Sequence, residues 1–190
     1  MKLVPAILTK KIDDFEGLLS KIVACKKFNQ VQVDFVDGEY ANNLTLRPAE
    51  VDIVPYQQIS FDAHLMVTEN NLLNFYLTAQ KKGFSRVIVQ AESIAKPEDY
   101  DCLSLDIHSP LALIKPFLSK LKYINLMSIE PGFCGQKLDF TIFNKISYLR
   151  PLGNFTIAVD GGVEKEHLQK LEELGVDEVV VGAARMLEWK

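Results

Sequence analysis

Short apolar segments alternate along this chain with segments in which apolar residues recur every three or four positions. The short segments are rich in Val, Ile, Leu and Phe and have the length of buried strands. Eight segments show this pattern: 3–8, 31–35, 60–67, 86–90, 103–107, 123–128, 155–160 and 178–182. Strands that alternate with helices are typical of a parallel sheet with helices on its outside.

Helical periodicity appears in four of the intervening segments. They are 13–24, 70–82, a segment that begins at Ser109-Pro110, and 164–174. Gly83 and Gly175 follow two of these helices at the position of a C-terminal cap. Ser109 followed by Pro110 has the pattern of an N-cap residue and a proline at the first helical position, which predicts a helix over PLALIKPFLSKL.

Two architectures are compatible with this order of elements, an open doubly wound sheet and a closed barrel. An open sheet usually has about six strands and a glycine-rich first turn, but the first turn here, LTKKID, contains no glycine. Eight units therefore predict an α/β fold, a compact (β/α)8 TIM barrel formed by one domain, residues 1–190. Because 190 residues are few for a fold of about 250, we expect shortened links after strands 2 and 4. One short helix is expected in 47–56, only a helical turn in 91–102, and a very short eighth helix.

Composition and charge restrict the partners of the protein. The net charge of −4 and the absence of a long basic run argue against nucleic acid and anionic membranes as partners. No apolar segment approaches the roughly 20 residues that span a bilayer, and the N-terminus lacks a signal-peptide cleavage pattern. Three widely spaced cysteines indicate a reducing compartment. These features predict a cytoplasmic protein.

Polar residues in the strand segments concentrate near the carboxyl ends. Asp34, His64, Asp106 and Asp160 all occupy such positions, which in a barrel form the catalytic face. Asp34, His64 and Asp160 could supply oxygen and nitrogen ligands to a divalent cation. The alternative for each aspartate is a structural role, as a cap of the following loop or as the partner of a basic side chain.

Small residues form a second group at the ends of the last three strands. The loops 131–136, 160–162 and 182–184 contain Pro-Gly-Phe-Cys-Gly-Gln, Asp-Gly-Gly and Gly-Ala-Ala. In barrels the loops after the last strands often bind phosphate through backbone N–H groups, and glycine permits this close approach.

Four motifs together resemble the ribulose-phosphate 3-epimerase family. They are VQVDFVDG, DAHLMV, MSIEPGFCGQK and VDGGV, and PAIL, LDIHSPLALIKPFL and VVVGAAR extend the resemblance over nearly the whole chain. The resemblance implies an isomerase that inverts C3 of ribulose 5-phosphate to give xylulose 5-phosphate. It also implies a small phosphorylated ketose as substrate and a homo-oligomeric assembly.

The resemblance implies a role for each matching residue. Asp34 and Asp160 would be the acid–base pair on opposite faces of the substrate, and with His64 they would hold a divalent metal, Zn, Fe or Mn, that stabilises an enediolate. Gln32 stands where the family has its first metal-ligand histidine. The residues implied to bind substrate are His64, Met66, Met127, Gly132, Phe133, Cys134, Gly135, Gly161, Gly162, Gly182 and Ala183.

Five positions depart from the family pattern: Ala6, Gln32, Val36, Cys134 and Ala183. An amide oxygen is a weaker zinc ligand than imidazole, so Gln32 puts metal occupancy in doubt. Three functions remain open from the sequence. They are the active 3-epimerase, a sugar-phosphate-binding homologue with impaired catalysis, and an epimerase acting on a related ketose phosphate such as a hexulose 6-phosphate.

Overall fold

A computed structural model of the protein describes residues 1–189 and contains eight parallel strands that close into a barrel, with the strands in chain order. The predicted (β/α)8 architecture is confirmed. The strands are β1 (Lys2–Ile7), β2 (Gln30–Val36), β3 (Ser60–Met66), β4 (Arg86–Gln90), β5 (Cys102–Leu105), β6 (Tyr123–Met127), β7 (Thr156–Asp160) and β8 (Glu178–Gly182).

Five α-helices of the described chain lie between or after these strands. They are α1 (Ile12–Cys25), α2 (Glu69–Lys82), α3 (Ile142–Leu149), α4 (Leu168–Glu173) and α5 (Ala183–Glu188). Helix α2 ends at Gly83, whose φ of +91° and hydrogen bonds to Ala79 and Gln80 form the expected glycine cap. The last helix has only six residues, as the length of the chain predicted.

The helix predicted to begin at Ser109-Pro110 is wrong. Pro110 is extended, and the segment contains only the 3-10 turns Leu111–Leu113 and Lys115–Phe117. Pro116 explains the difference, because it has no N–H to donate and its ring would collide with the carbonyl four residues earlier in an α-helix. Helix α3, by contrast, was not among the predicted helices.

The links after β2 and β4 also contain short turns in place of α-helices. Residues Val54–Tyr56 form a 3-10 turn in the link to β3, and the link from β4 to β5 contains two, Ala91–Ser93 and Pro97–Asp99. Apart from Lys190, whose structure is not described, no helix of the protein is both long and apolar enough to cross a membrane.

Alternate side chains of each strand point to the barrel interior or to the surrounding helices. The outward set packs with α1 to α5 in one large apolar core. Inside, a small apolar cluster that includes Val4, Ile88, Tyr123 and Val180 fills the middle of the barrel. Polar layers lie above and below it.

The lower polar layer, at the amino ends of the strands, is a network of paired charges. Arg86 forms two hydrogen bonds with Asp62, of 2.6 and 3.0 Å, and one of 2.6 Å with Glu178. Gln30 donates to Asp62 and accepts from Lys2. The guanidinium of Arg86 also lies 3.9 Å from the centre of the Tyr123 ring, so this end of the barrel is closed by compensated charges.

Candidate active site

Three of the predicted strand-end residues meet in the upper layer of the barrel interior. Asp34 on β2 is paired in register with His64 on β3, and Asp160 ends β7. His64 Nδ1 lies 3.2 Å from Asp34 Oδ1 and 3.5 Å from Asp160 Oδ2. One ligand-type atom from each residue lies within 4.8 Å of the others. The side chains that the sequence suggested as one group are therefore in contact.

Gln32 lies below this group and touches all three members. Its Nε2 donates to Asp34 Oδ1 at 2.7 Å and to Asp160 Oδ2 at 2.8 Å, and it lies 3.4 Å from His64 Nδ1. The residue is completely buried, because it precedes Asp34 by two positions and so points to the same barrel interior. The amide turns its donor, and not its oxygen, toward the two acids.

Asp160 receives further support from β6. Asn125 Nδ2 donates to Asp160 Oδ2 at 3.1 Å and to Ser104 Oγ at 3.2 Å. Burial and the neighbouring charge of Asp34 raise the pKa of Asp160 to about 6, although His64 and the amides of Gln32 and Asn125 oppose the shift. A carboxyl with this pKa can exchange a proton near neutral pH.

His64 is held on both edges of its ring. Its Nε2 lies 3.3 Å from Gln90 Nε2, on the opposite side from the two acids. Burial lowers the pKa of His64, but the hydrogen bond and charge of Asp34 and the charge of Asp160 outweigh it, so the pKa is raised overall. The two carboxylates therefore favour a positive charge at this position.

The spacing of Asp34, His64 and Asp160 fits a divalent cation. Two ligands bound tetrahedrally at roughly 2.1 Å are about 3.4 Å apart, close to the 3.2 and 3.5 Å that separate His64 from the acids. Carboxylate and imidazole ligands suit Zn, Fe and Mn. Gln32 does not fit as it lies, because an amide nitrogen has no lone pair for a metal; its oxygen would reach a cation only after the amide had turned over.

A cavity of about 290 Å³ opens above the three residues. Asp34, His64 and Asp160 form part of its lining. Of the residues predicted to bind substrate, the remaining ones also line it: Met66, Met127, Gly132, Phe133, Cys134, Gly135, Gly161, Gly162, Gly182 and Ala183. Partial burial and the charges of Asp34 and Asp160 raise the pKa of the Cys134 thiol to about 11, which makes it a poor nucleophile at neutral pH.

Glycine is required sterically at the end of β7. Gly161 and Gly162 have φ values of +95° and +65°, and a Cβ on Gly162 would lie 2.5 Å from the backbone nitrogen of Leu138. A Cβ on Gly161 would lie 2.3 Å from the side chain of Ile129. These contacts bring the loops after β6 and β7 together beside the cavity.

Two residues of the site were missed in the sequence, and one predicted residue lies elsewhere. Asn125 sits two positions before Met127, so strand alternation could have identified it as an interior amide. Arg185 lines the cavity and pairs with Glu164 at 2.5 Å; no motif marked it. Asp106 does not line the cavity, and instead accepts a 2.6 Å hydrogen bond from the Tyr40 hydroxyl.

A closed parallel barrel with paired carboxylates and an imidazole at the carboxyl ends of its strands has the general plan of a TIM-barrel enzyme, with a candidate active site at that end. Comparison with known proteins narrows this class. The sequence model of the Ribulose-phosphate 3 epimerase family matches residues 2–186, so the chain belongs to the ribulose-phosphate 3-epimerase family. This match confirms the prediction that the protein is an isomerase related to the ribulose-phosphate 3-epimerases.

Similar proteins are found both by sequence and by structure. The ribulose-phosphate 3-epimerases of Bacillus subtilis (strain 168) and Helicobacter pylori (strain ATCC 700392 / 26695) are 29% and 30% identical, with 97% and 96% of this chain and 91% and 89% of theirs covered. A solved 3-hexulose-6-phosphate synthase has a TM-score of 0.65 at 15% identity, covering 97% of this chain and 91% of its own. A mutant tryptophan synthase alpha-subunit from Pyrococcus furiosus has a TM-score of 0.64 at 17% identity, covering 96% and 87%. The structural neighbours support the fold.

Proposed function

We propose that this protein is a sugar-phosphate epimerase that interconverts ribulose 5-phosphate and xylulose 5-phosphate by inverting C3. The observation that carries the proposal is the pair Asp34 and Asp160, held by one amide and lining one cavity. The relatives named ribulose-phosphate 3-epimerase supply the reaction and substrate.

Inversion at C3 requires a proton to leave from one face of the substrate and another to arrive on the opposite face. In the proposed reaction one of the two aspartates removes the C3 proton and the other delivers a proton from the far side. The hydrogen bonds described for these acids all use Asp34 Oδ1 and Asp160 Oδ2, so the second oxygen of each is the one that would face a substrate. The pKa of about 6 at Asp160 supports a group that can both bind and release a proton near neutral pH.

The negative charge that develops on the substrate oxygen after deprotonation needs stabilisation. Asp34, His64 and Asp160 would hold a divalent cation, Zn, Fe or Mn, which supplies positive charge beside that oxygen when bound. Among the residues described, His64 is the basic side chain that touches both acids, and their charges raise its pKa.

We propose that the phosphate binds at the glycine-rich side of the cavity. The backbone N–H groups of the loops after β6, β7 and β8 would contact it, and they belong to Gly132, Phe133, Cys134, Gly135, Gly161, Gly162, Gly182 and Ala183. Arg185 beside them adds a guanidinium that can pair with a phosphate. Met66 and Met127 would pack against the carbon chain of the sugar. A single-domain cytoplasmic homo-oligomer completes the proposal.

The test is to incubate the purified protein with ribulose 5-phosphate in D₂O and follow both xylulose 5-phosphate formation and deuterium at C3. The expected result is product with solvent deuterium at C3, abolished in Asp34→Asn and Asp160→Asn. Absence of turnover with added Zn²⁺, Fe²⁺ or Mn²⁺ would contradict the proposal.

A second candidate is a sugar-phosphate-binding homologue without catalysis, favoured by the inward amide nitrogen of Gln32. In that case ribulose 5-phosphate would raise the melting temperature without any deuterium reaching C3. A panel that includes a hexulose 6-phosphate tests the remaining alternative, in which the same exchange occurs with a longer substrate.

A further inference from the structure

The side chain of Gln32 hydrogen-bonds to both candidate acids, at the same two oxygens that would hold a cation. The two hydrogens of its Nε2 are used by Asp34 Oδ1 and Asp160 Oδ2, at 2.7 and 2.8 Å. Both acceptors come from strands that are not neighbours in the barrel. One primary amide therefore connects β2 to β7 through two hydrogen bonds to charged oxygens.

The other end of the same amide has no hydrogen-bond partner. Gln32 Oε1 is buried and accepts no hydrogen bond within residues 1–189. Turning the amide over would place this oxygen against two carboxylate oxygens and leave the nitrogen where the oxygen is now. Two repulsive contacts and an unpaired donor would replace two hydrogen bonds, so the observed orientation is the favoured one without a cation.

A cation reverses this preference. Positive charge held by Asp34, His64 and Asp160 would face the hydrogens of Gln32, which carry partial positive charge. Binding therefore requires the amide to turn over or to move away, and either change breaks both hydrogen bonds to the acids. The affinity for the cation is therefore lowered, because binding must replace two hydrogen bonds that the metal-free protein already has.

We propose that Gln32 acts as an amide tie, a positioning residue that holds Asp34 and Asp160 together without metal and competes with a divalent cation for the same two oxygens. The inference deepens the proposed function, on which it rests for the role of the acids. It predicts that Gln32 weakens metal binding, whereas an ordinary ligand would strengthen it.

The decisive variant is Gln32→Ala, because the two roles predict opposite signs. Zn²⁺ affinity is measured by competition with a chromophoric chelator, with the metal alone and no sugar phosphate present. If Gln32 is an amide tie, Gln32→Ala binds Zn²⁺ about tenfold or more tightly than the parent. Gln32→His, which removes the tie and adds an imidazole, binds it more tightly again.

The matched control is Gln30→Ala. Gln30 is the same residue type on the same strand, and it is also buried, but it bonds to Asp62 in the lower layer. Its removal is expected to leave Zn²⁺ affinity unchanged within about twofold. Weaker or unchanged binding in Gln32→Ala would overturn the amide tie, since the first result identifies a ligand and the second a bystander.

The parent protein offers a test that needs no variant. In ¹⁵N-labelled protein treated with a chelator, the side-chain NH₂ of Gln32 is expected to be protected from exchange with solvent. Saturating Zn²⁺ should shift both proton signals and remove their protection. An NH₂ that is unprotected before metal is added, or that does not respond to metal, would contradict the proposal.

These experiments separate the amide tie from the proposed function. Metal affinity and amide protection are read without substrate, so they can support or overturn the tie whatever the epimerase assay gives. A protein that shows the tie but no deuterium at C3 would refute the epimerase and leave the tie standing.

Discussion

The two polar layers inside the barrel differ in how their charges are compensated. In the lower layer Arg86 pairs with both Asp62 and Glu178, and Lys2 lies beside Gln30. In the upper layer two carboxylates meet one imidazole and one amide. Both layers use a buried glutamine of β2 to reach an acid on another strand.

The difference suggests that the lower layer contributes to the stability of the barrel and the upper layer to its chemistry. Buried charges are costly unless they are paired and hydrogen-bonded, and in the lower layer Arg86 pairs with both acids while Gln30 donates a further hydrogen bond to Asp62. The upper layer leaves an excess of negative charge and a pKa of about 6 at Asp160. An incompletely compensated layer at the carboxyl ends of the strands is typical of a site that exchanges protons or binds a cation.

The largest expected effect is on the upper layer. Asp160→Asn keeps the shape of the side chain but cannot exchange a proton, so we expect epimerisation of ribulose 5-phosphate to fall by about 10³-fold or more. Asp62→Asn removes an acid of the lower layer and should leave kcat of the folded protein within about threefold. Comparable losses of kcat in the two variants would erase the distinction between the layers.

Substitutions in the lower layer should lower the stability of the folded protein. Arg86→Met leaves Asp62 and Glu178 without their cation, and we expect the free energy of unfolding in urea at pH 7 to fall by about 3 kcal/mol. Lys122→Met is the control, because the Lys122–Asp101 pair of 2.8 Å lies at the surface and its loss should be too small to resolve. Equal effects of the two substitutions would show that the lower layer is not a stabilising network.

A smaller effect is expected at the proposed phosphate side. Arg185→Met removes a guanidinium from the cavity lining, so the KM for ribulose 5-phosphate should rise about tenfold, equivalent to loss of one charge-assisted hydrogen bond, with little change in kcat. The change should disappear with the unphosphorylated sugar. An equal loss with both sugars would remove Arg185 from phosphate binding.

The smallest expected effect concerns Asp106, an acid outside the cavity. Burial and the charge of Glu92 raise the pKa of Asp106 to about 6 in the folded protein. Protonation therefore favours the folded state, and this contribution is lost as pH rises from about 4 through about 6. Asp106→Asn has no carboxylate to ionise in this buried position, so it does not lose stability in this way as pH rises. Its amide oxygen can still accept the hydrogen bond from Tyr40.

The measurement is urea unfolding of parent and variant at pH 4.5 and 7.5. Allowing for solvent screening at this partly exposed group, we expect Asp106→Asn to be more stable by about 1 kcal/mol at pH 7.5 and nearly equal at pH 4.5. All other residues are the same in the two proteins, so their pH dependence cancels in the difference. A difference that does not change with pH would show that Asp106 is not the titrating group.

Much of the fold was predictable because barrel strands are local in sequence. Eight apolar segments identified eight strands, and Gly83 marked the end of α2. The helix predicted after Pro110 failed because Pro116 interrupts it from within, a signal that the N-terminal pattern outweighed. Helix α3 was missed although Ile142, Ile146 and Leu149 follow helical spacing.

The candidate site was predictable wherever a strand end carried an uncommon residue. Asp34, His64 and Asp160 stand out in apolar segments, and strand ends in a barrel converge on one face. Asn125 and Arg185 lacked such a signal, because an amide inside a strand and an arginine on a short helix have many uses. Their roles depend on neighbours that are 35 and 21 residues away in the chain.

The sequence by itself determined the barrel, its family and the residues that line the cavity. Strand periodicity and the order of the motifs can be read from short stretches of the chain. Only the tertiary structure decided what Gln32 does. A glutamine can present an oxygen or a nitrogen, and the choice depends on the two carboxylates that closure of the barrel brings within hydrogen-bonding distance. The same closure paired Arg86 with Asp62 and Glu178, and so distinguished a stabilising layer from a reactive one.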